Sequence, residues 1–260
     1  MSKSSTNKKE KKERNTKIAV RLAVFFALLI LLNFLTISLV YQWADWIALL
    51  IFSLLFIVPG YISNAGMVIV GGGKPIDGGR VLKDGRRLFG DHKTWSGFLK
   101  GPLFIGIPIS IGIFILFSLF WPFITPIITN ALNMDAYDLY DTLDIFGYYF
   151  IGGSFPFSWG FLALIVRIVL CSYGAAFGDL IGSFLKRRFD ITSGEPFWVV
   201  DQLDFALFSI LFTAIPAFFI PNFFYMPDIN IVIFLVILTP AVSVIANTAA
   251  YLIGLKDVPW

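Results

Sequence analysis

The residues able to do chemistry in this chain fall into two short stretches. The first, Gly71 to Gly101, reads GGGKPIDGGRVLKDGRRLFGDHKTWSGFLKG. Lys74, Arg80, Lys83, Arg86, Arg87 and Lys93 carry charge enough to hold several phosphates, and arginine does so through paired N–H bonds. Asp77, Asp84 and Asp91 stand among them, each beside a glycine. Glycine permits tight turns and lets backbone N–H groups approach an anion closely. A basic patch that only docks on anionic lipid has no need of interleaved carboxylates. A metal–phosphate site does need them, or else the acids orient the bases or contact a nucleotide, the role expected for Asp77 and Asp91. Two nucleotide motifs are excluded. Gly73-Lys74 is followed by Pro75, and Val68 stands where a Walker A loop begins with glycine. The glycines also follow a long apolar stretch rather than a strand, so no dinucleotide fold is implied.

The second stretch runs GAAFGDLIGSFLKRRFDITSGEPFWVVDQLD from Gly174 to Asp204. Asp179, Ser183, Lys186 and Asp190 are spaced four, three and four apart, which places them on one face if a helix continues through them. Gly174, Gly178 and Gly182 recur every fourth residue, a seam of small residues that lets a neighbouring helix pack closely. Asp201 and Asp204, three apart, share a face of the next helix. Capping accounts for Asp201 alone but not for both. Asp179, Asp201 and Asp204 are therefore the expected metal ligands. With one cysteine, Cys171, and one histidine, His92, the chain cannot build a structural zinc site, so the metal expected is Mg²⁺ held by oxygen.

These stretches must be positioned by membrane helices. The chain has 260 residues, 57% of them hydrophobic and 14% charged, with mean hydropathy +0.80. Soluble domains are about 25% charged. Apolar runs predict six spans: 18–40, 43–70, 98–120, 157–183, 202–220 and 229–255. The fold class is thus an all-α, polytopic transmembrane bundle. Residues 1–17 read as a disordered basic tail and residues 18–260 as a single transmembrane catalytic domain. Basic residues lie in the tail, in the 71–100 loop, at Lys186 to Arg188 and at Lys256, all on one side of a six-span chain. The opposite loop, 121–156, holds Asp135, Asp138, Asp141 and Asp144 and no lysine or arginine. That is the positive-inside pattern, so both termini and the active site are expected to face the cytoplasm of a multi-pass cell-membrane protein. Arg167, inside the fourth span, reads first as a residue snorkelling to the outer interface. Ser63, Asn64, Ser243, Asn247 and Thr248 share one depth, on the side of the basic loops, and suggest a polar cavity open to lipid.

The pattern GGG-K-PIDGG…DGRR…GD-x-KT-x-x-G, then GD-x-x-x-SF-x-KRR and DQ-x-D, resembles the archaeal CDP-archaeol synthases. It is also similar to the wider CTP:phosphatidate cytidylyltransferases, in which Ser-x-x-Lys-Arg precedes Asp-x-x-Asp. Here those positions are Ser183, Lys186, Arg187, Asp201 and Asp204. The resemblance covers about Asn64 to Asp204. It implies a five-helix core, to which the 18–40 span is additional. It implies transfer of CMP from CTP to an isoprenoid ether-lipid phosphate, digeranylgeranylglyceryl phosphate, with release of pyrophosphate and a requirement for Mg²⁺. Lys186, Arg187, Asp201 and Asp204 are the catalytic positions this reading selects. Asn64, Lys74, Asp77, Arg80, Lys83, Arg86, Arg87, Asp91, Lys93 and Ser183 are those that bind substrate. An ester-linked phosphatidate is the alternative acceptor, and a small-solute transporter the alternative class. No nucleic-acid partner is expected, and the oligomeric state leaves no mark on the sequence.

Overall fold

The structure is a computed structural model and describes residues 3–153, 157–192 and 195–256. Among these the regular elements are helical: α1 (Lys3–Val40), α2 (Trp43–Ile69), α3 (Trp95–Lys100), a π-helical turn (Gly101–Gly106), α4 (Ile107–Asn133), α5 (Leu143–Ile151), α6 (Phe157–Arg188), α7 (Trp198–Phe219) and α8 (Ile229–Leu252). Six stretches are long and apolar enough to cross a bilayer, with α3, the π turn and α4 forming one continuous stretch of 39 residues. The sequence and this architecture make the chain a multi-pass membrane protein. A helix satisfies every backbone group within itself, which the hydrocarbon interior demands.

Three of the differences from the expected boundaries have a physical reason. Residues 3–17, expected as a disordered tail, continue α1 as helix; lysine, glutamate and arginine are good helix formers, and the span below supplies the nucleus. The third span passes Phe120 and runs to Asn133, through Pro122 and Pro126. Proline is tolerated in membrane helices where neighbouring groups take up the freed backbone bonds, and the loop on that side is correspondingly short. The fourth span extends to Arg188, so Lys186 and Arg187 ride on helix, but Asp190 lies beyond it with φ +62°.

The aromatic core lies at the end of the bundle away from the basic loops. Phe52 is fully buried, stacked on Tyr149 at 4.7 Å and edge-on to Tyr140 and Phe146. Asp45, also fully buried, accepts the N–H groups of Gln42, Asp138, Leu139 and Tyr140 and so ties α2 to the loop before α5. Arg167 does not snorkel. It is 3% exposed and donates to the Tyr148 and Tyr149 carbonyls at the end of α5, with the Phe114, Tyr148 and Tyr149 rings around its guanidinium. A cation belongs at a helix C-terminus, where the last carbonyls lack intrahelical donors.

The glycine seam of α6 works as expected. A methyl at Gly174 would lie 2.6 Å from the Phe208 carbonyl oxygen, and one at Gly178 would lie 2.3 Å from that of Asp204. Backbone therefore packs on backbone, and α7 is drawn against the charged end of α6.

Candidate active site

The 71–94 loop is built around one carboxylate. The Asp77 side chain has no exposure. Its Oδ1 accepts the Gly79 N–H (3.0 Å) and the Arg87 guanidinium (2.6 Å), and its Oδ2 accepts the Phe89 and Gly90 N–H groups (3.1 and 3.0 Å). Gly79 and Gly90, at φ +81° and +117°, provide turns that a side chain would oppose. Burial works against the charge on Asp77, but Arg87 and the three N–H donors outweigh it and hold the carboxyl well below the usual carboxylate range. With both oxygens consumed inside the loop, Asp77 orients Arg87 rather than meeting substrate. Arg87 is gripped from its other side by Asp91.

Residues 80–88 form a small hairpin, closed by Leu82 N–H to Arg86 O and Leu88 N–H to Arg80 O. The hairpin is clasped to the end of α6. Arg86 reaches Asp190 at 2.9 Å and the Arg188 carbonyl; Arg188 in turn reaches Asp84 and the Arg87 carbonyl. The two chemically rich stretches, about a hundred residues apart in the chain, are thereby one rim. The Arg188–Asp84 partnership was not read from the sequence. Neither was Thr94, whose hydroxyl accepts the Gly72 and Gly97 N–H groups and caps α3. A threonine directly before a helix was the available signal.

Two cavities open in this rim. One, of about 450 Å³, is lined by Asn64, Met67, Val68, Gly71 to Gly73, His92, Lys93, Phe98, Ala176, Asp179 and Leu180 among others. The other, of about 390 Å³, is lined by Arg86, Arg87, Ser183, Lys186, Arg187 and Asp190 among others. Asp91, His92 and Lys93 border both. Lys74 instead borders a shallow depression beside Trp95. Arg80 and Lys83, expected to bind substrate, are exposed and border none of these three spaces, because the hairpin turns them away from the rim.

The three expected metal ligands lie at the facing ends of α6 and α7. Lys93 Nζ stands 2.7 and 2.6 Å from the two oxygens of Asp179, and Lys186 Nζ is 2.7 Å from Asp201 Oδ2. Asp201 also accepts the Phe197 N–H at 3.0 Å, which closes the first turn of α7, so its capping role is real as well. Asp204 feels the charges of Asp179, Asp201 and Lys93. Its Oδ2 lies 1.8 Å from where a methyl on Gly182 would sit. Among the described residues, no three His, Cys, Asp or Glu side chains draw together as a metal-holding group. Two of the carboxylates are instead neutralised by lysines. The donors suit Mg²⁺ in kind, being all oxygen, and the ammonium groups on them mark where a cation is electrostatically favoured.

Fold and rim together define a multi-pass membrane protein with clustered acids and bases at one end of its bundle. A family model for CarS-like CDP-archaeol synthase matches residues 46–139 and 142–260, leaving α1 outside. The CDP-archaeol synthase of Methanococcus aeolicus is 37% identical over 215 residues, covering 82% of this chain and 98% of that protein. The CDP-archaeol synthase of Thermococcus onnurineus is 36% identical over 218 residues, covering 84% and 96%. A solved structure, described as giving insight into an intramembrane enzyme for archaeal membrane lipids biosynthesis, is 27% identical with TM-score 0.44, covering 77% of this chain and 92% of that one. This chain belongs to the CDP-archaeol synthase family.

Proposed function

We propose that the protein transfers CMP from CTP to the phosphate of an unsaturated isoprenoid ether lipid, releasing pyrophosphate, at the cytoplasmic face of the cell membrane. One observation carries the reading. Two cavities, one bordered by five lysine and arginine side chains and the other partly by apolar ones, share the Asp91–His92–Lys93 edge. A triphosphate and a lipid phosphate brought to that edge would lie side by side. The sidedness rests on the basic loops, all on one face of a six-span chain.

The chemistry follows from charge. A lipid phosphate oxygen attacks the α-phosphorus of CTP, the bond from that phosphorus to the bridging oxygen breaks, and the electron pair leaves with pyrophosphate. Both reactants are anions, so the protein's task is to hold them in line and offset their repulsion. Lys186 and Arg187, with Arg86 bordering the same cavity, would meet the triphosphate, and Lys93, which borders both cavities, would meet both substrates. The attacking phosphate is already ionised, so His92 has no proton to remove. Asp179, Asp201 and Asp204 would hold Mg²⁺, which when bound neutralises charge on the phosphates. Lys93 and Lys186, paired with two of these carboxylates, would be the nearest ammonium groups to the phosphates.

The test is Mg²⁺-dependent transfer of label from α-labelled CTP to digeranylgeranylglyceryl phosphate by the full chain in proteoliposomes. An Asp201→Asn, Asp204→Asn double variant is expected to lose about a hundredfold or more. Absence of transfer by the unaltered protein refutes the function, and robust transfer by the double variant refutes the metal assignment.

A further inference from the structure

α7 carries Asp201 and Asp204 into the rim, and it is held from two sides. On one side it lies against the glycine seam of α6, where a methyl at Gly178 would come within 2.7 Å of the Phe205 Cα. That contact sets how near the helices can come but grips nothing, because glycine has no side chain to interlock. On the other side stands Val199. Asp201 and Asp204, two and five residues further on, lie about 200° and 140° round the helix from it. Val199 packs against a buried cluster of Phe26 from α1 with Ala241 and Val244 from α8, which Leu22, Ala23 and Leu29 of α1 complete.

The first turn of α7 needs such a hold. Trp198, directly before Val199, has φ +36°, in the left-handed region. A bulky residue keeps that conformation only where its surroundings enforce it. The turn is closed by the Phe197 N–H on Asp201 Oδ2 and by the Val200 N–H on the Phe197 carbonyl, both at 3.0 Å. A turn that relaxes at Trp198 therefore takes Asp201 with it.

α1 is made for contact along one stripe. Its buried residues Asn15, Ala19, Phe26 and Ile37 are four, seven and eleven apart, all helical spacings. Val24, Phe25, Leu28, Leu31, Leu32 and Leu35 face outward. The burial of Asn15 carries the stripe past the apolar span, onto the side of the basic loops. α1 also lies outside the residues that the family model matches, so its contact is added to the core which that model describes.

Resting on the function proposed above, we infer that α1 braces the first turn of α7 through Phe26 and Val199 and so sets where Asp201 stands in the rim. Both side chains act through the turn and touch no reacting atom, so they are positioning residues.

The experiment compares Phe26→Ala with Ile37→Ala in the full chain. Both empty the same stripe of α1, but Ile37 lies about 16 Å further along the helix, in the aromatic core. In nanodiscs, Phe26→Ala is expected to speed hydrogen exchange at the Phe197 and Val200 amides about tenfold over Ile37→Ala. In proteoliposomes it should raise the Mg²⁺ needed for half-maximal CMP transfer about tenfold, which Ile37→Ala does not. Phe26→Leu should restore both to within about twofold. Val199→Ala should speed the same two amides, and the Phe26→Ala, Val199→Ala double variant should exceed the faster single by less than about twofold, because one contact is lost in each. Equal exchange in Phe26→Ala and Ile37→Ala, additive effects in the double variant, or an unchanged Mg²⁺ requirement overturns the brace. If the unaltered protein transfers no label, the proposed function fails by itself, and the exchange arm still decides whether α1 holds this turn.

Discussion

Replacing Asp77 with asparagine tests whether one buried carboxylate organises the active rim. The native side chain takes four donors, two on each oxygen. Asparagine retains one oxygen, so two donors must face an NH₂ group. A hydrogen bond to a charged group contributes about 1.5–3 kcal/mol. Arg87 is 26% exposed, and water recovers part of what it loses. Two bonds at the low end of that range amount to about 3 kcal/mol, on the order of a hundredfold in the opening equilibrium of the loop. Hydrogen exchange in nanodiscs reads this directly. The Phe89 and Gly90 amides should exchange about a hundredfold faster in the variant, while amides in α2 and α6 stay unchanged, and CTP binding should weaken at least tenfold. The pH dependence follows from the lowered carboxyl. Its stabilising effect is complete above the unfolded-chain value of about 4 and is lost only as the pH falls through the lower folded value. Protection at these two amides, corrected for intrinsic exchange, is therefore level from about pH 7 to about pH 5. Protection in the asparagine variant within threefold of the unaltered protein would refute the reasoning, and so would a fall in protection across that pH window.

Two further substitutions separate function from stability. Gly182→Ala puts a methyl against the end of the Asp204 side chain, which can rotate away, whereas Gly178→Ala meets the Asp204 and Phe205 backbone. The first should cost at least tenfold in transfer with Tm close to native; the second should destabilise by about 1–3 kcal/mol because α6 and α7 must part, and equal Tm losses would contradict this. Arg167→Met should destabilise by about 2 kcal/mol, from two bonds to buried carbonyls and the ring contacts. Arg167→Lys should recover less than half of that because an ammonium lacks the planar fork; a methionine variant as heat-stable as the native protein would mean that Arg167 only snorkels.

Much of the rim was readable because a bilayer forces charge out of long apolar runs. Asp91 and Lys93 border both cavities, Asn64 the first, and Ser183, Lys186 and Arg187 the second. Arg80 and Lys83 were equally basic on paper, yet a hairpin register carries them away from the rim, and composition holds no record of register. Asp45 passed unnoticed for a related reason. One aspartate at the start of a helix looks like a cap, and its further acceptance of three N–H groups from 138–140 depends on a loop more than ninety residues away.

The sequence by itself determined the spans, their order and the side on which the bases collect, because each follows from local polarity and the thickness of a bilayer. It also supplied the acids and bases that gather at the rim. Only the tertiary structure decided how acids and bases share their charges. Asp77 holds the loop, Lys93 and Lys186 cover Asp179 and Asp201, and Arg86 and Arg188 clasp the hairpin to α6. An ion pair is a matter of a few ångströms between side chains distant in sequence. That distance exists only once the helices have packed.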